Sequence, residues 1–169
     1  MVSLFAKANG KRLIPLLVIT VLFAAVMIGC SGKPEGGRSD VTVAELAERL
    51  KQAVKLDELK QRDKETLQRL YHLRGDEVED FVLYTAVSNV KADEVAVIQA
   101  KDAAQAERVK QQVSKRIDAQ TVKFKDYRPE EYALIQKHVL KSEGRFVLFA
   151  VSKAADRLEQ LFIEALRRS

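Results

Sequence analysis

The sequence is poor in the residues that build disulfides, zinc sites and phosphate-binding loops. Its single cysteine, Cys30, cannot form an internal disulfide, and its two histidines, His72 and His138, lie far apart. No zinc-ligand spacing results. Of the seven glycines only Gly75 and Gly144 follow residue 39, both where turns are expected, and this excludes a phosphate-binding loop. We therefore predict no metal, no cofactor and no catalytic residue.

Tryptophan is absent and aromatic residues are few, so the chain has few side chains on which sugars or bases could stack. The formal charge of +5 also overstates how basic the chain is, because Lys7, Lys11 and Arg12 lie in a leading segment without acids; removing them leaves +2. A nearly neutral domain gives no reason to expect the electrostatic affinity of a nucleic-acid binder. We predict no nucleic-acid partner.

The apolar run at residues 13–29 follows a basic segment and contains no ionisable side chain. It is slightly shorter than the roughly 20 residues of a comfortable membrane span, and the pattern is typical of an export signal. Its end, Met27-Ile28-Gly29-Cys30, resembles the lipobox of bacterial lipoproteins. The resemblance implies that the Cys30 thiol receives a diacylglyceryl group and that a peptidase cuts between Gly29 and Cys30. Two acyl chains anchor a protein firmly.

An uncleaved signal anchor with Cys30 at the membrane edge is the alternative. Both interpretations place the rest of the chain outside the cytoplasm, because the positive charges precede the apolar run. We predict a signal peptide at residues 1–29, a lipidated cysteine with a flexible Gly- and Pro-containing tether at 30–40, and one exported domain at 41–169.

The exported part shows helical and strand patterns in turn. Apolar spacing predicts helices over 43–54, from the cap Asp63 to before Gly75, over 103–125 after the cap Asp102, from Pro129, and over 153–167. Runs at 81–87, 94–100, 138–141 and 146–151 are typical of strands. The order predicts an α+β fold: an antiparallel sheet of about four strands in a ββα-ββα arrangement, preceded by an N-terminal helical segment.

Few residues suggest chemistry. His72 and His138 are typical of surface or partly buried polar positions, although each is a type of residue that acts as a general base. An acidic cluster precedes the first predicted strand, and a solvated strand entry is the simpler interpretation. Its members are Asp76, Glu77, Glu79 and Asp80.

One flank of the longest predicted helix is basic. At about 100° per residue, Arg108, Lys115, Arg116 and Lys123 fall on the same side. Such a flank on a tethered domain would contact anionic headgroups or wall polymers. An ordinary solvated helix face is the alternative.

From residue 40 onward the chain resembles the bacterial lipoprotein family catalogued as domain of unknown function 4358, which is found mainly in Gram-positive bacteria. The residues that carry the resemblance are Val41-Thr42-Val43-Ala44-Glu45-Leu46, Val78-Glu79-Asp80-Phe81-Val82-Leu83-Tyr84, Asp93-Glu94-Val95-Ala96-Val97, Ala100-Lys101-Asp102 and Gly144-Arg145-Phe146-Val147. The resemblance implies no assigned activity, so no catalytic residue is carried over.

These observations favour a lipid-anchored, extracytoplasmic binding or interaction module of the cell envelope. Its partners would be the membrane, through the anchor at Cys30, and an envelope protein or an anionic wall or lipid surface. Two alternatives remain: an envelope enzyme that uses acidic residues such as Glu79 and Asp80, and a structural subunit of a membrane complex.

Overall fold

A computed structural model describes residues 41–53, 56 and 58–167 of the chain. The predicted signal peptide, Gly29, Cys30 and the tether lie outside the described residues.

Helices and strands alternate along the described part. The helices are α1 (Val43–Ala53), α2 (Lys64–Tyr71), α3 (Ala103–Lys125), α4 (Pro129–Gln136) and α5 (Ala155–Arg167). The strands are β1 (Leu59–Gln61), β2 (Val78–Ala86), β3 (Glu94–Ala100), β4 (Val139–Glu143) and β5 (Phe146–Val151).

Local chemistry sets where the helices begin. The Asp63 carboxylate accepts a hydrogen bond from the Thr66 amide at 2.9 Å, and the Asp102 carboxylate accepts one from the Gln105 amide at 2.7 Å. Both are N-cap contacts that satisfy a free amide of the first turn. Pro129 occupies the first turn of α4, where its missing N–H costs nothing. Both predicted caps are confirmed.

The strands form one five-stranded antiparallel sheet in the order β1-β2-β3-β5-β4. This confirms the predicted α+β class and the ββα-ββα order. The sheet has one strand more than the expected four, because the short β1 pairs with the end of β2, Leu59 facing Ala86 and Gln61 facing Tyr84. The three residues of β1, two of them exposed, are too few to show the apolar alternation by which a strand is predicted from sequence.

Helices cover both faces of the sheet. In β3, Val95 and Val97 belong to the core shared with α1 and α5, whereas Ala96 and Ile98 belong to the core shared with α2, α3 and α4. The alternation follows from the period of two in a strand. The helices that follow the two ββ units, α3 and α5, therefore pack on opposite faces. Among the described residues, no helix has both the length and the apolar character needed to cross a membrane.

Candidate functional site

A cleft of about 700 Å³ opens at one end of the sheet. Strand register brings its parts together: Leu59 of β1 faces Ala86 of β2, and Glu94, which opens β3, faces both Thr85 and Val151. The same end of the sheet thus collects the β2–β3 loop, the end of β5 and the segment before β1. The volume lies within the roughly 300–1,000 Å³ of ligand pockets.

The cleft combines apolar side chains with many charged groups. Its apolar lining comes from Leu56, Leu59, Ala86, Val87, Ala133, Leu134 and Ala155. Its polar lining comes from Glu58, Ser88, Lys91, Asp93, Glu130, Glu131, Lys137, Ser152, Lys153 and Asp156. This mixture is typical of sites in which a few polar groups orient a ligand against an apolar surface.

Glu131 joins one wall of the cleft to the next. It lies on α4 and is only 6% exposed. One carboxylate oxygen accepts from Lys91 Nζ at 2.7 Å, and the other accepts from the Ala92 amide at 2.8 Å. Burial raises the pKa of Glu131, but the hydrogen bonds from Lys91 and Ala92 outweigh burial, so its pKa lies below the ordinary value. Glu131 is therefore an ionised tie between α4 and the β2–β3 loop.

Asp93 is the neighbouring carboxyl group in the cleft and has the opposite character. Its side chain is half-buried, and no lysine or arginine in the described part of the chain lies within ion-pair distance of it. Burial, followed by the negative charge of Glu131, raises the pKa of Asp93, against the weaker opposing effects of a hydrogen bond from its own backbone amide and of the charges of Lys91 and Lys153. Asp93 is thus a carboxylate that the fold has partly desolvated without pairing it.

The backbone holds Asp93 in place. Its carbonyl accepts a hydrogen bond from the Ala86 amide at 2.8 Å, which ties the end of the loop to the end of β2. The preceding residue, Ala92, is 1% exposed and donates its amide to Glu131. The backbone of Asp93 is therefore fixed by hydrogen bonds at the residue itself and at the residue before it.

The next residue, Glu94, points to the other face of the strand and is 1% exposed. Its carboxylate accepts from Arg116 Nη2 at 2.8 Å, from Arg116 Nε at 3.3 Å and from Gln120 Nε2 at 3.4 Å. The Tyr71 hydroxyl also donates to it, and burial, followed by the charge of Glu94, raises the pKa of Tyr71 well above its ordinary value. These contacts join α2 and α3 to the first residue of β3, which follows Asp93 of the cleft in the chain.

The start of α5 forms another part of the rim. Ser152 Oγ accepts from the Ala154 amide at 3.2 Å, and the Ser152 carbonyl accepts from the Ala155 amide at 3.1 Å. This turn presents the exposed Lys153 at the mouth of the cleft. Val87 also lines the cleft and is 73% exposed.

The predicted basic flank of α3 is only partly free. Arg116 is committed to Glu94 with a side chain 19% exposed, and Lys123 Nζ donates to the Asn89 carbonyl at 2.8 Å. Arg108 and Lys115 are exposed. Contact of this flank with an anionic surface stays a prediction, with Arg108 and Lys115 as its accessible cations.

The acidic cluster before β2 does not converge on a common point. Asp76 pairs with Arg74 at 2.8 Å, and Glu77 accepts from the Arg74 amide at 2.7 Å. Glu79 pairs with Arg145 at 2.6 Å, whereas Asp80 accepts from the amide of Phe81 at 2.8 Å. In the part of the chain that the structure describes, no group of three potential metal ligands is close enough to hold an ion.

The two histidines lie outside the cleft lining. His72 is exposed and forms the left-handed C-cap of α2, with φ of 53°. A ring nitrogen of His138, Nδ1, lies 2.8 Å from the Ile135 carbonyl, and the ring lies near Phe149. Sequence reasoning missed Asp93, Glu131 and Glu94, because a charged residue at the edge of an apolar run looks solvated until its partners are known.

The fold and the cleft define the class of protein: an α+β domain with a ligand-sized opening at one end of an antiparallel sheet. The chain belongs to the family described as Domain of unknown function (DUF4358), which matches residues 52–152. The domain family expected from the sequence is thereby confirmed over these residues. No curated protein and no solved structure matches the chain.

Proposed function

We propose that this protein is a lipid-anchored binding module of the cell envelope that holds a small ligand in the cleft without converting it. The observation that carries the proposal is the cleft itself, in which apolar side chains lie beside polar groups from the β2–β3 loop, α4 and the start of α5. Convergence of such groups in a ligand-sized concavity is the usual mark of a binding site.

The state of the polar groups favours binding over turnover. Both oxygens of Glu131 are occupied, so its carboxylate is a poor candidate for a general base. Ser88 and Ser152 line the cleft, and their hydroxyls accept hydrogen bonds from the Val90 and Ala154 amides. No histidine lies among the residues that line the cleft, so neither serine has an imidazole base there.

The membrane attachment rests on the sequence. The basic segment, the uncharged run and Gly29-Cys30 together support export followed by lipidation of Cys30. The domain would then face outward from the cell membrane on a tether of about ten residues.

Occlusion of the cleft tests the binding function. Ala133 is exposed on α4 within the lining, so Ala133→Trp would place a bulky ring in the opening, and Ala119→Trp at an exposed position of α3 is the matched control. Full-length protein in a nonionic detergent is screened by thermal shift against amines, carboxylates, sugars and wall fragments. We expect at least one compound to raise the melting temperature of the wild type and Ala119→Trp, but not of Ala133→Trp. Equal shifts in all three, or consumption of the compound, would argue against a binding module.

Lipidation has its own test. Cells that express the full-length chain are grown with a fatty-acid analogue, and we expect label on the wild-type protein and none on Cys30→Ala. Persistent label on Cys30→Ala would reject attachment at that residue. An unlabelled wild type that retains its leader would point instead to the uncleaved signal anchor.

A further inference from the structure

The charges of the cleft leave an excess of carboxylates. Five acidic residues line it, against the three lysines Lys91, Lys137 and Lys153. Lys91 is already neutralised by Glu131 at 2.7 Å. An anionic ligand would therefore enter a region of like charge, whereas a cationic group would find a favourable field.

Within this excess, Asp93 is the carboxylate best placed to receive a cation. It is half-buried, its backbone is fixed by hydrogen bonds, and it lacks an ion-pair partner among the described residues. A partly buried carboxylate without a counter-ion has lost part of its hydration. A bound cation that donates hydrogen bonds would replace the lost hydration with favourable contacts. The raised pKa of Asp93, caused first by burial and then by Glu131, is the electrostatic expression of that loss.

The chemistry of the cation follows from what surrounds Asp93. The described residues contain no group of three potential metal ligands, which disfavours a bare metal ion. The apolar side chains of Leu59 and Leu134 line the same opening. An ammonium group on an aliphatic chain satisfies both conditions, since its N–H groups reach the carboxylate while its methylenes cover the apolar side chains.

We propose that the cleft binds ligands that carry a primary ammonium group, and that Asp93 is the residue that recognises this group. The inference rests on the proposed function, because it names the ligand class of the same cleft. Ser88 and Ser152 in the lining are further acceptors for ammonium hydrogens that Asp93 does not use. Amino acids, amino-terminated peptides and polyamines share this chemistry.

Three probes built on five-carbon chains test whether binding depends on the charge of the ligand. Cadaverine carries an ammonium group at each end, N,N′-diacetylcadaverine is its neutral form, and glutarate carries carboxylates instead. Each is titrated into isotope-labelled full-length protein in a nonionic detergent, and amide shifts are followed by NMR. We expect cadaverine to shift the amides of the β2–β3 loop and the start of α5, and the other two probes to leave them unchanged.

Matched variants then test the role of Asp93. Asp93→Asn removes the charge but keeps the size, and Asp118→Asn is the control on an exposed part of α3. We expect Asp93→Asn to weaken cadaverine binding by about tenfold or more, as loss of a charge-assisted hydrogen bond does, and Asp118→Asn to leave it unchanged. Ala133→Trp provides a second variant in which Asp93 is intact, and it should abolish the same shifts.

The outcomes distinguish the ligand class from the existence of the site. If glutarate or the diacetyl probe shifts the cleft amides and cadaverine does not, the ammonium proposal is wrong while the binding function stands. Equal affinity of cadaverine for the wild type and Asp93→Asn would also overturn the role of Asp93. If cadaverine leaves the cleft unchanged and no screened compound distinguishes Ala133→Trp from its control, both proposals fail.

Discussion

At the scale of single residues, the most consequential choice is a carboxylate at the first position of the central strand β3. Glu94 is 1% exposed, and burying a charge there costs several kcal/mol unless the charge is paired and hydrogen-bonded. Arg116, Gln120 and the Tyr71 hydroxyl together meet that requirement. The arrangement orients α2 and α3 against the sheet. Removal of one partner would leave the remaining groups buried without their hydrogen bonds or counter-charge.

Removing the charge at Glu94 should therefore be costly, and the cost should be shared with Arg116. We expect Glu94→Gln to lower the free energy of unfolding by about 3 kcal/mol, because Arg116 is left largely buried without its counter-charge. Arg116→Met should have a similar effect, and the double variant should lose less than the sum of the two. Urea unfolding of all four proteins gives the coupling energy, which we expect to reach about 1–3 kcal/mol.

An exposed pair provides the control for this cycle. The Arg74–Asp76 pair has side chains 71% and 62% exposed, so Asp76→Asn should change stability little. Strictly additive effects of Glu94→Gln and Arg116→Met would show that the two groups do not act as a pair.

At the scale of elements, ionised Glu131 holds the β2–β3 loop and α4 together, whereas ionisation of the nearby Asp93 is unfavourable in the fold. Ionised Glu131 is stabilised in the fold, mainly by Lys91 and Ala92 against the opposing effect of burial, and its pKa is lowered. Its contribution is complete above the pKa of an unfolded glutamate and is lost as the pH falls through the lower folded pKa. Asp93 has a raised pKa, so its ionisation destabilises the fold above that pKa, and acidification removes the penalty.

Two amide variants should therefore change stability in opposite directions. At neutral pH, Glu131→Gln should lower the free energy of unfolding by about 1–3 kcal/mol, because Lys91 and the buried Ala92 amide lose a charged acceptor. Asp93→Asn should raise it. Both differences from the wild type should shrink as the pH falls below the ordinary range of carboxyl pKa values. Urea unfolding followed by circular dichroism at a series of pH values measures them, and a stabilising Glu131→Gln would contradict the argument.

The elements that sequence predicted well are those whose signals are local. Asp102 marks the start of α3 because its cap needs only the next three residues, and the stripe of Val109, Val113 and Phe124 follows the helical period. The strand β1 was not predicted, since Leu59–Gln61 becomes a strand only by pairing with β2. The predicted basic flank of α3 included Arg116 as an accessible cation, which is wrong because Arg116 pairs with Glu94, a residue distant in sequence.

The cleft could not be predicted for the same physical reason. Glu58, Asp93, Glu131 and Lys153 lie far apart along the chain and meet only because the strand register brings one end of the sheet together. Periodicity describes which side of an element is buried, but it carries no information on which elements share an end. The position of the cleft therefore depends on the sheet topology, whereas the buried residues of the core follow largely from the apolar periodicity of the sequence.

At the scale of the whole molecule, the family match and the folded unit have different extents. The match covers residues 52–152, whereas the core on one face of the sheet is closed by α1 and α5, which lie largely outside that range. Leu46 and Leu50 of α1 and Leu158 and Phe162 of α5 are nearly inaccessible to solvent. Burial of each such side chain contributes about 1.5–3 kcal/mol to stability. Loss of several of them would therefore remove most of the roughly 5–15 kcal/mol that stabilises a typical domain.

A fragment limited to the matched residues should therefore not fold as the longer chain does. Without α1 and α5, the buried side chains of Val97 and Leu148 would face water on an open apolar surface. We expect fragment 52–152 to bind the dye 8-anilinonaphthalene-1-sulfonate strongly and to unfold without cooperativity, whereas fragment 41–167 should unfold in one cooperative transition. Thermal unfolding followed by circular dichroism compares them. A cooperative transition in fragment 52–152 would mean that the sheet and the α2–α4 layer suffice, and that the second helical layer adds stability without being required for the fold.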